Sequence, residues 1–501
     1  MIGRTGLWVW IAAVWLGVNV GAAQPPAGPP AGGAPPAAQA AGGGQRRMGP
    51  PIGVPMLGMP FIHDPSTVVH FRGKYYVFGT GPGIRVYSSA DGETWTREKP
   101  VFEKIPDAVH AVVPKNNGTD VWAPVIVRAN GQFYLYYAVS SWGSFQSAIG
   151  LMTNPVLDSS DPAYQWTDHG VVVSSNGAED LNAIDPGVTL APNGTMWLCY
   201  GSYHGSIRIT KLDPKTGLAL APNKLGEPVA SARESEATDI IFHDGYYYLF
   251  VNHGSCCKGK LSEYNIRVGR SKKPDGPYVD RHGLPLAKGA GSLFLAAHDH
   301  RIGPGHFGRL LDYDKSPTGD ESGPERFSIH YEGDLTRDGR SVMDIRPLLW
   351  SVDGWPVAGD NLTDGTYQLV SRQSEYTLEQ QVPAAEQRGG TAMAPSTAGT
   401  ARLVRYISVP NQQWKIAPVH GGLWSVVNAQ TGDALGAGEG GLELAPYAGK
   451  EAQMWRLEEF PDGGYRVVNK VAGKCLAASG MGVVLTDFVR DDSHLWTITS
   501  P

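Results

Sequence analysis

Two aspartates in this 501-residue chain are each followed by proline, Asp64-Pro65 and Asp185-Pro186, and a third acid, Glu236, comes 51 residues after the second. Proline restricts the backbone of the residue before it, so each aspartate is held in a fixed direction. A single Asp-Pro pair is an ordinary turn. These three acids, however, each precede a short aromatic strand of one kind: residues 73–78 (GKYYVF), 194–200 (GTMWLCY) and 245–250 (GYYYLF). Three converging carboxylates can divide acid–base work. One, kept protonated, donates a proton; a second, ionised, takes one from water; a third raises the donor's pKa by its charge. That is the chemistry of glycosidic bond cleavage.

Positioning them requires a repeated element. The aromatic strand also occurs at 131–137 (GQFYLYY), and more weakly at 326–331 (RFSIHY); the first four copies start 58, 63 and 51 residues apart. Such a period, built of short strands and glycine turns, marks a β-propeller, and about 300 residues of it make five blades. A sandwich would not explain the spacing. In the second unit Trp122-Ala123-Pro124 stands in the place of the Asp-Pro pairs. A second repeat follows: Gln412 to Trp414, Gln453 to Trp455 and His494 to Trp496 are spaced by 41 residues, and WSVVN at 424 and YRVVN at 465 each begin 31 residues before their tryptophan. The first unit starts at Tyr367 and carries an insertion around 382–400. The fold expected is all-β: a five-bladed β-propeller over 51–358 followed by a β-trefoil over 362–501.

The N-terminus carries Arg4, an apolar run over 7–18 and small residues at 21–23, which reads as a signal peptide (1–23) cleaved near Ala23. A Pro/Ala/Gly linker occupies 24–50. The expected location is therefore secreted or periplasmic, without stable membrane insertion. A net charge of -6 leaves no basic surface for nucleic acid. Cys199, Cys256, Cys257 and Cys475 have no metal-ligand spacing; buried thiols or one vicinal disulfide are expected. A monomer is the default.

Ten short motifs fall in one order over 55–356: His63-Asp64-Pro65-Ser66, Trp122 to Pro124, 137–144 (YAVSSWGS), 147–150 (SAIG), Asn182 to Pro186, 200–202 (YGS), 256–259 (CCKG), 268–271 (VGRS), 276–278 (GPY) and 303–306 (GPGH). In these the chain resembles the arabinanases of glycoside hydrolase family 43. The resemblance implies an inverting hydrolase of α-1,5-linked arabinan in plant cell-wall breakdown, with Asp64 the general base, Glu236 the general acid and Asp185 the residue that orients Glu236 and raises its pKa. Glu234 competes for the acid's place, but Ala237 after Glu236 fits the family pattern. His63, Trp122, Trp142, Asn182 and Ser202 would bind substrate, and His306 would hold one calcium ion at the propeller axis. His204 departs from the pattern, which has an aromatic there. An exo-acting α-L-arabinofuranosidase or β-xylosidase, or a non-catalytic carbohydrate-binding propeller, would use the same scaffold. Residues 89–95 (SADGETW) are similar to a sialidase Asp box, but occur once and lack its spacer. The Q-x-W units resemble the ricin-type β-trefoil, often a carbohydrate-binding module. The acid usual after its leucine occurs only as Leu378-Glu379; Leu435 and Leu476 are followed by Gly436 and Ala477.

Overall fold

The computed structural model describes residues 50–501 except 223, 320–324, 352, 383–399, 420–421 and 461–462. The signal peptide, the linker up to residue 49 and most of the trefoil insertion lie outside the described residues. Five four-stranded antiparallel units follow one another in the chain. The first is Val68–Phe71, Lys74–Gly79, Arg85–Ser89 and Thr94–Arg97; the second is Asp120–Ala129, Gln132–Val139, Gln146–Asn154 and Thr167–Asn176. Gly187–Leu190, Met196–Tyr200, Ser206–Leu212 and Glu227–Ser231 make the third, and Ser235–His243, Tyr246–His253, Asn265–Ser271 and Ser292–Leu295 the fourth. Arg301–Asp312, Arg326–Asp334, Arg340–Trp350 and Pro356–Ala358 make the fifth. The ring closes where Leu310 to Asp312 pair in parallel with Val68 to His70.

The aromatic segment is the second strand of every blade. Alternation puts its side chains on both faces of the sheet, and both are buried because blades pack face to face. Phe78, Phe133, Leu135 and Tyr137 share one apolar cluster, and Tyr136, Leu198 and Tyr200 share the next. Further clusters join Cys199 to Leu249 and Phe250 to Phe327. Met343 and Ile345 reach Val68 and Trp95 to complete the circle. Gly187 packs so closely on the backbone of Thr238 that any Cβ would collide with its carbonyl. The Asp-box-like hairpin is structural: Asp91 accepts the backbone N–H of Glu93 and Thr94, and the Trp95 indole donates to Gly92 O.

The C-terminal strands, from Gly365–Ser371 to Trp496–Thr499, form the trefoil. Trp414, Trp455 and Trp496 are its fully buried centre. Each indole N–H donates to the carbonyl of that unit's leucine, Leu378, Leu435 and Leu476, at 2.9, 2.9 and 2.8 Å. Asn428 and Asn469 repeat one another as turn residues, each accepting two following backbone N–H groups. The trefoil meets the propeller where Gly422 N–H donates to Glu93 Oε1 at 3.0 Å. Among the described residues no helix is long and apolar enough to cross a membrane.

Candidate active site

All five innermost strands pass through one unusual conformation. Asp64 (φ 48°), Ala123 (39°), Asp185 (57°), Ala237 (51°) and His306 (56°) are left-handed at equivalent points of the ring. A non-glycine residue there costs about 1–2 kcal/mol, and five such residues at one level mark a surface the fold is built to present. The pairing of the inner strand slips at the same level in three blades, between Trp122 and Val125, Glu236 and Asp239, and Gly305 and Gly308. These are bulges, which re-aim side chains. The expectation that the three acids share one register is corrected here. Asp64 and Asp185 are the left-handed residues of their blades, whereas in the fourth blade that residue is Ala237. Glu236 stands one place earlier, level with His63, Trp122, Ile184 and Gly305.

A cavity of about 240 Å³ opens over this ring. It is lined by all nine residues singled out in the sequence: His63, Asp64, Trp122, Trp142, Asn182, Asp185, Ser202, Glu236 and His306. Glu234 is exposed to solvent outside it. Trp142 is 79% exposed and its ring lies 5.4 Å from that of Trp122, leaving an open aromatic wall. Asn182 Oδ1 accepts from Ser147 Oγ at 2.7 Å, so its amide N–H₂ is the group left for a ligand.

Two of the acids are driven apart electrostatically. Burial alone would raise the Asp64 carboxyl, but the charges and hydrogen bonds of His63 and His306 outweigh it and hold Asp64 well below the usual range. His63 Nδ1 is 2.8 Å from Asp64 Oδ2, His306 Nδ1 is 3.5 Å from Oδ1, and the Thr80 hydroxyl donates to Oδ2. Burial pushes Glu236 well above the carboxylate range, and the neighbouring Asp185 charge pushes it further. Asp185 is itself raised, by burial first, to about 6. Its Oδ2 accepts the Ala237 N–H at 3.1 Å, which ties it to the strand carrying Glu236. Ser202 Oγ donates to Glu236 Oε2 at 2.6 Å. The arrangement holds one ionised and one protonated carboxyl in a single cavity, the pairing that acid–base cleavage requires.

Residues 58–356 match the family described as glycosyl hydrolases family 43. The chain belongs to that family. Residues 410–487 match a ricin-type β-trefoil lectin domain-like family. Over 317 residues the chain is 33% identical to an extracellular exo-α-(1→5)-L-arabinofuranosidase of Cellvibrio japonicus, covering 60% of this chain and 88% of that protein. It is 34% identical over 307 residues to the extracellular endo-α-(1→5)-L-arabinanase 1 of Bacillus subtilis, covering 59% and 87%. A crystal structure of an exo-1,5-α-L-arabinanase from a bovine ruminal metagenomic library superposes with a TM-score of 0.56 at 36% identity, covering 61% of this chain and 98% of that one.

Several residues around this family 43 site escaped the sequence reading. Thr80 both donates to Asp64 and accepts the Ala123 N–H at 2.9 Å. Glu332 Oε1 lies 3.0 Å from His63 Nε2, so His63 sits between two carboxylates; burial opposes its charged form, yet their combined pull raises it well above 6.5. His330 stacks on His63 and accepts the Asp64 N–H on Nδ1 at 3.0 Å. Burial and the His63 charge lower its pKa, so it is neutral, with its proton on Nε2 facing Glu332. Tyr203, Phe145 and the Cys256–Cys257 disulfide also line the cavity. His204 stacks on Phe145 with centroids 4.0 Å apart, which places an imidazole at the rim behind an aromatic face.

Calcium takes six to eight oxygen ligands. Among the described residues, no group of three or more closely spaced His, Cys, Asp or Glu ligand atoms includes His306, so the residues present do not form an oxygen cage for that ion. No step is derived through it. In the trefoil, both oxygens of Glu379 are engaged: Oε1 by Arg402 at 2.7 Å and Oε2 by Gln412 Nε2 at 3.0 Å. The single acid expected to face a sugar is thus spent inside its own domain.

Proposed function

We propose that this family 43 glycoside hydrolase cleaves α-1,5-linked arabinan, with Asp64 as general base, Glu236 as general acid and Asp185 as the residue that keeps Glu236 protonated. One observation carries the reading: in one cavity the environment lowers Asp64 while it raises Glu236. In the step proposed, the glycosidic C–O bond breaks and its electron pair goes to the leaving oxygen, which takes the Glu236 proton. A water oxygen bonds to the anomeric carbon and gives a proton to Asp64. Inversion follows from attack on the opposite face. The names of the relatives above support arabinan as substrate and export as the destination of the chain. Both endo- and exo-acting relatives align over the propeller, so the mode of action is read from products. The open wall at Trp142 favours chains that extend beyond the cavity and therefore internal cleavage, and the trefoil is proposed to add polysaccharide affinity.

Purified protein should release short oligosaccharides from linear α-1,5-arabinan. Glu236→Gln should lower that activity by about 10²–10⁴-fold with unchanged folding. Full activity in the variant overturns the acid's assignment; release of monosaccharide alone overturns internal cleavage.

A further inference from the structure

Tyr203 follows the strand Met196–Tyr200 in a left-handed conformation, φ 45°. Its backbone N–H donates to Ser235 O at 3.1 Å, which fixes it beside the strand that carries Glu236. The hydroxyl donates to Gly254 O at 2.6 Å and accepts the Cys256 N–H at 3.2 Å. The same hydroxyl is within hydrogen-bonding reach of the Glu236 carboxyl.

A phenol has one proton and two lone pairs. Gly254 takes the proton and the disulfide loop takes one lone pair. What remains to face Glu236 is a lone pair, which accepts from a protonated carboxyl and repels a carboxylate. Ser202 donates to Oε2, leaving the proton to Oε1. The other groups around Glu236 act in the same sense. Asp185 of the third blade, also within hydrogen-bonding reach, and Asp64 of the first both oppose a second negative charge. His306, the nearby imidazole, faces Asp64 and Asp185. Glu234, on the same segment as Glu236, is exposed.

We propose that Tyr203 is a positioning residue for the acid step: with its own proton held by Gly254, it accepts the hydrogen bond of protonated Glu236 and keeps that carboxyl in the donor form. The proposal rests on the reading of Glu236 as the general acid. It also gives the vicinal disulfide loop a task, since Gly254 and Cys256 are the groups that orient the hydroxyl.

The test is Tyr203→Phe, which removes one oxygen and keeps the ring. The pH profile of kcat/KM is measured on α-1,5-arabino-oligosaccharides and on a nitrophenyl arabino-oligosaccharide, whose leaving group needs little protonation. The alkaline limb should move down by about 0.5–1 pH unit, the worth of one hydrogen bond, and activity on the nitrophenyl substrate should change less than about threefold. A uniform loss on both substrates with an unmoved limb would show a loop anchor only, and an upward shift would show a hydrogen-bond donor; either overturns the proposal. Should the variant fold poorly, 2,3-difluorotyrosine at position 203 keeps every contact and weakens only the lone pair, and must move the limb the same way. Glu236→Gln separates the two claims: if it retains the alkaline limb, the acid assignment itself fails, whatever Tyr203→Phe does.

Discussion

Asp185→Asn is the sharpest perturbation of this site because it removes a charge and little else. The amide oxygen can still accept the Ala237 N–H, so the fourth inner strand should stay in place. Glu236 is raised first by burial, which the substitution leaves intact, and second by the Asp185 charge, which it removes. Unit charges about 5 Å apart at an effective dielectric of about 20 interact by about 3 kcal/mol, or about two pKa units. The sign follows from which form works. Glu236 acts protonated, so activity is lost as pH rises through its folded pKa; lowering that pKa moves the alkaline limb toward acid. Because Asp185 titrates at about 6, its charge is complete only above that pH, and the displacement is read on a limb lying above 6. The assay is kcat/KM against pH on α-1,5-arabino-oligosaccharides, with a nitrophenyl glycoside as control. A limb displaced downward by about one to two units, with the nitrophenyl rate largely kept, is expected. A limb that stays put, or loss on both substrates without displacement, would refute the idea that Asp185 works through the proton on Glu236.

Other outcomes follow from the same geometry. His63→Ala takes the charge from beside Asp64, whose pKa is held low; since the base acts ionised, the acid limb should move up by about one unit, seen in the same profile. Trp142→Ala should raise KM for long oligosaccharides about tenfold with kcat within about twofold, because a single stacked ring is worth about 1–1.5 kcal/mol; its 79% exposure predicts an unchanged melting temperature. Trp455→Ala should cost the trefoil about 3–5 kcal/mol in denaturant unfolding, since it empties a fully buried indole and strands the Leu435 carbonyl, while activity on short substrates persists.

Much of the architecture was legible because it is repeated. The aromatic strand is visible as sequence because both its faces must be buried between blades, and it became the second strand of all five. The trefoil was legible for the same reason: a tryptophan that fills the centre and bonds its own unit's leucine cannot drift in spacing. The supporting groups of the site were not legible. Glu332 and His330 lie more than 260 residues from His63 and Asp64, and only closure of the fifth blade onto the first brings them together. Thr80 sits 16 residues from Asp64 and sends no signal, because a lone threonine at the end of an aromatic strand looks like any other. The Leu378-Glu379 pair shows the converse: the motif was readable, yet Arg402 and Gln412 decide that its acid faces inward.

The register of Glu236 explains why its flanking residues departed from those of the two aspartates. Asp64 and Asp185 sit in the left-handed position, where a following proline stiffens the chain and aspartate tolerates the conformation. A glutamate one place earlier needs a different device. The bulge between Glu236 and Asp239 supplies it, and the left-handed position falls to Ala237, whose small side chain leaves room for the Asp185 carboxylate to accept its N–H. The proton donor is thus held by strand pairing and by bonds from Ser202 and Asp185, whereas the base is held by its own backbone and a shell of histidines. The difference has a chemical consequence. Glu236 is surrounded by acceptors and neutral donors that favour a proton, and Asp64 by imidazoles that favour its absence, so one ring of five equivalent positions yields an acid and a base.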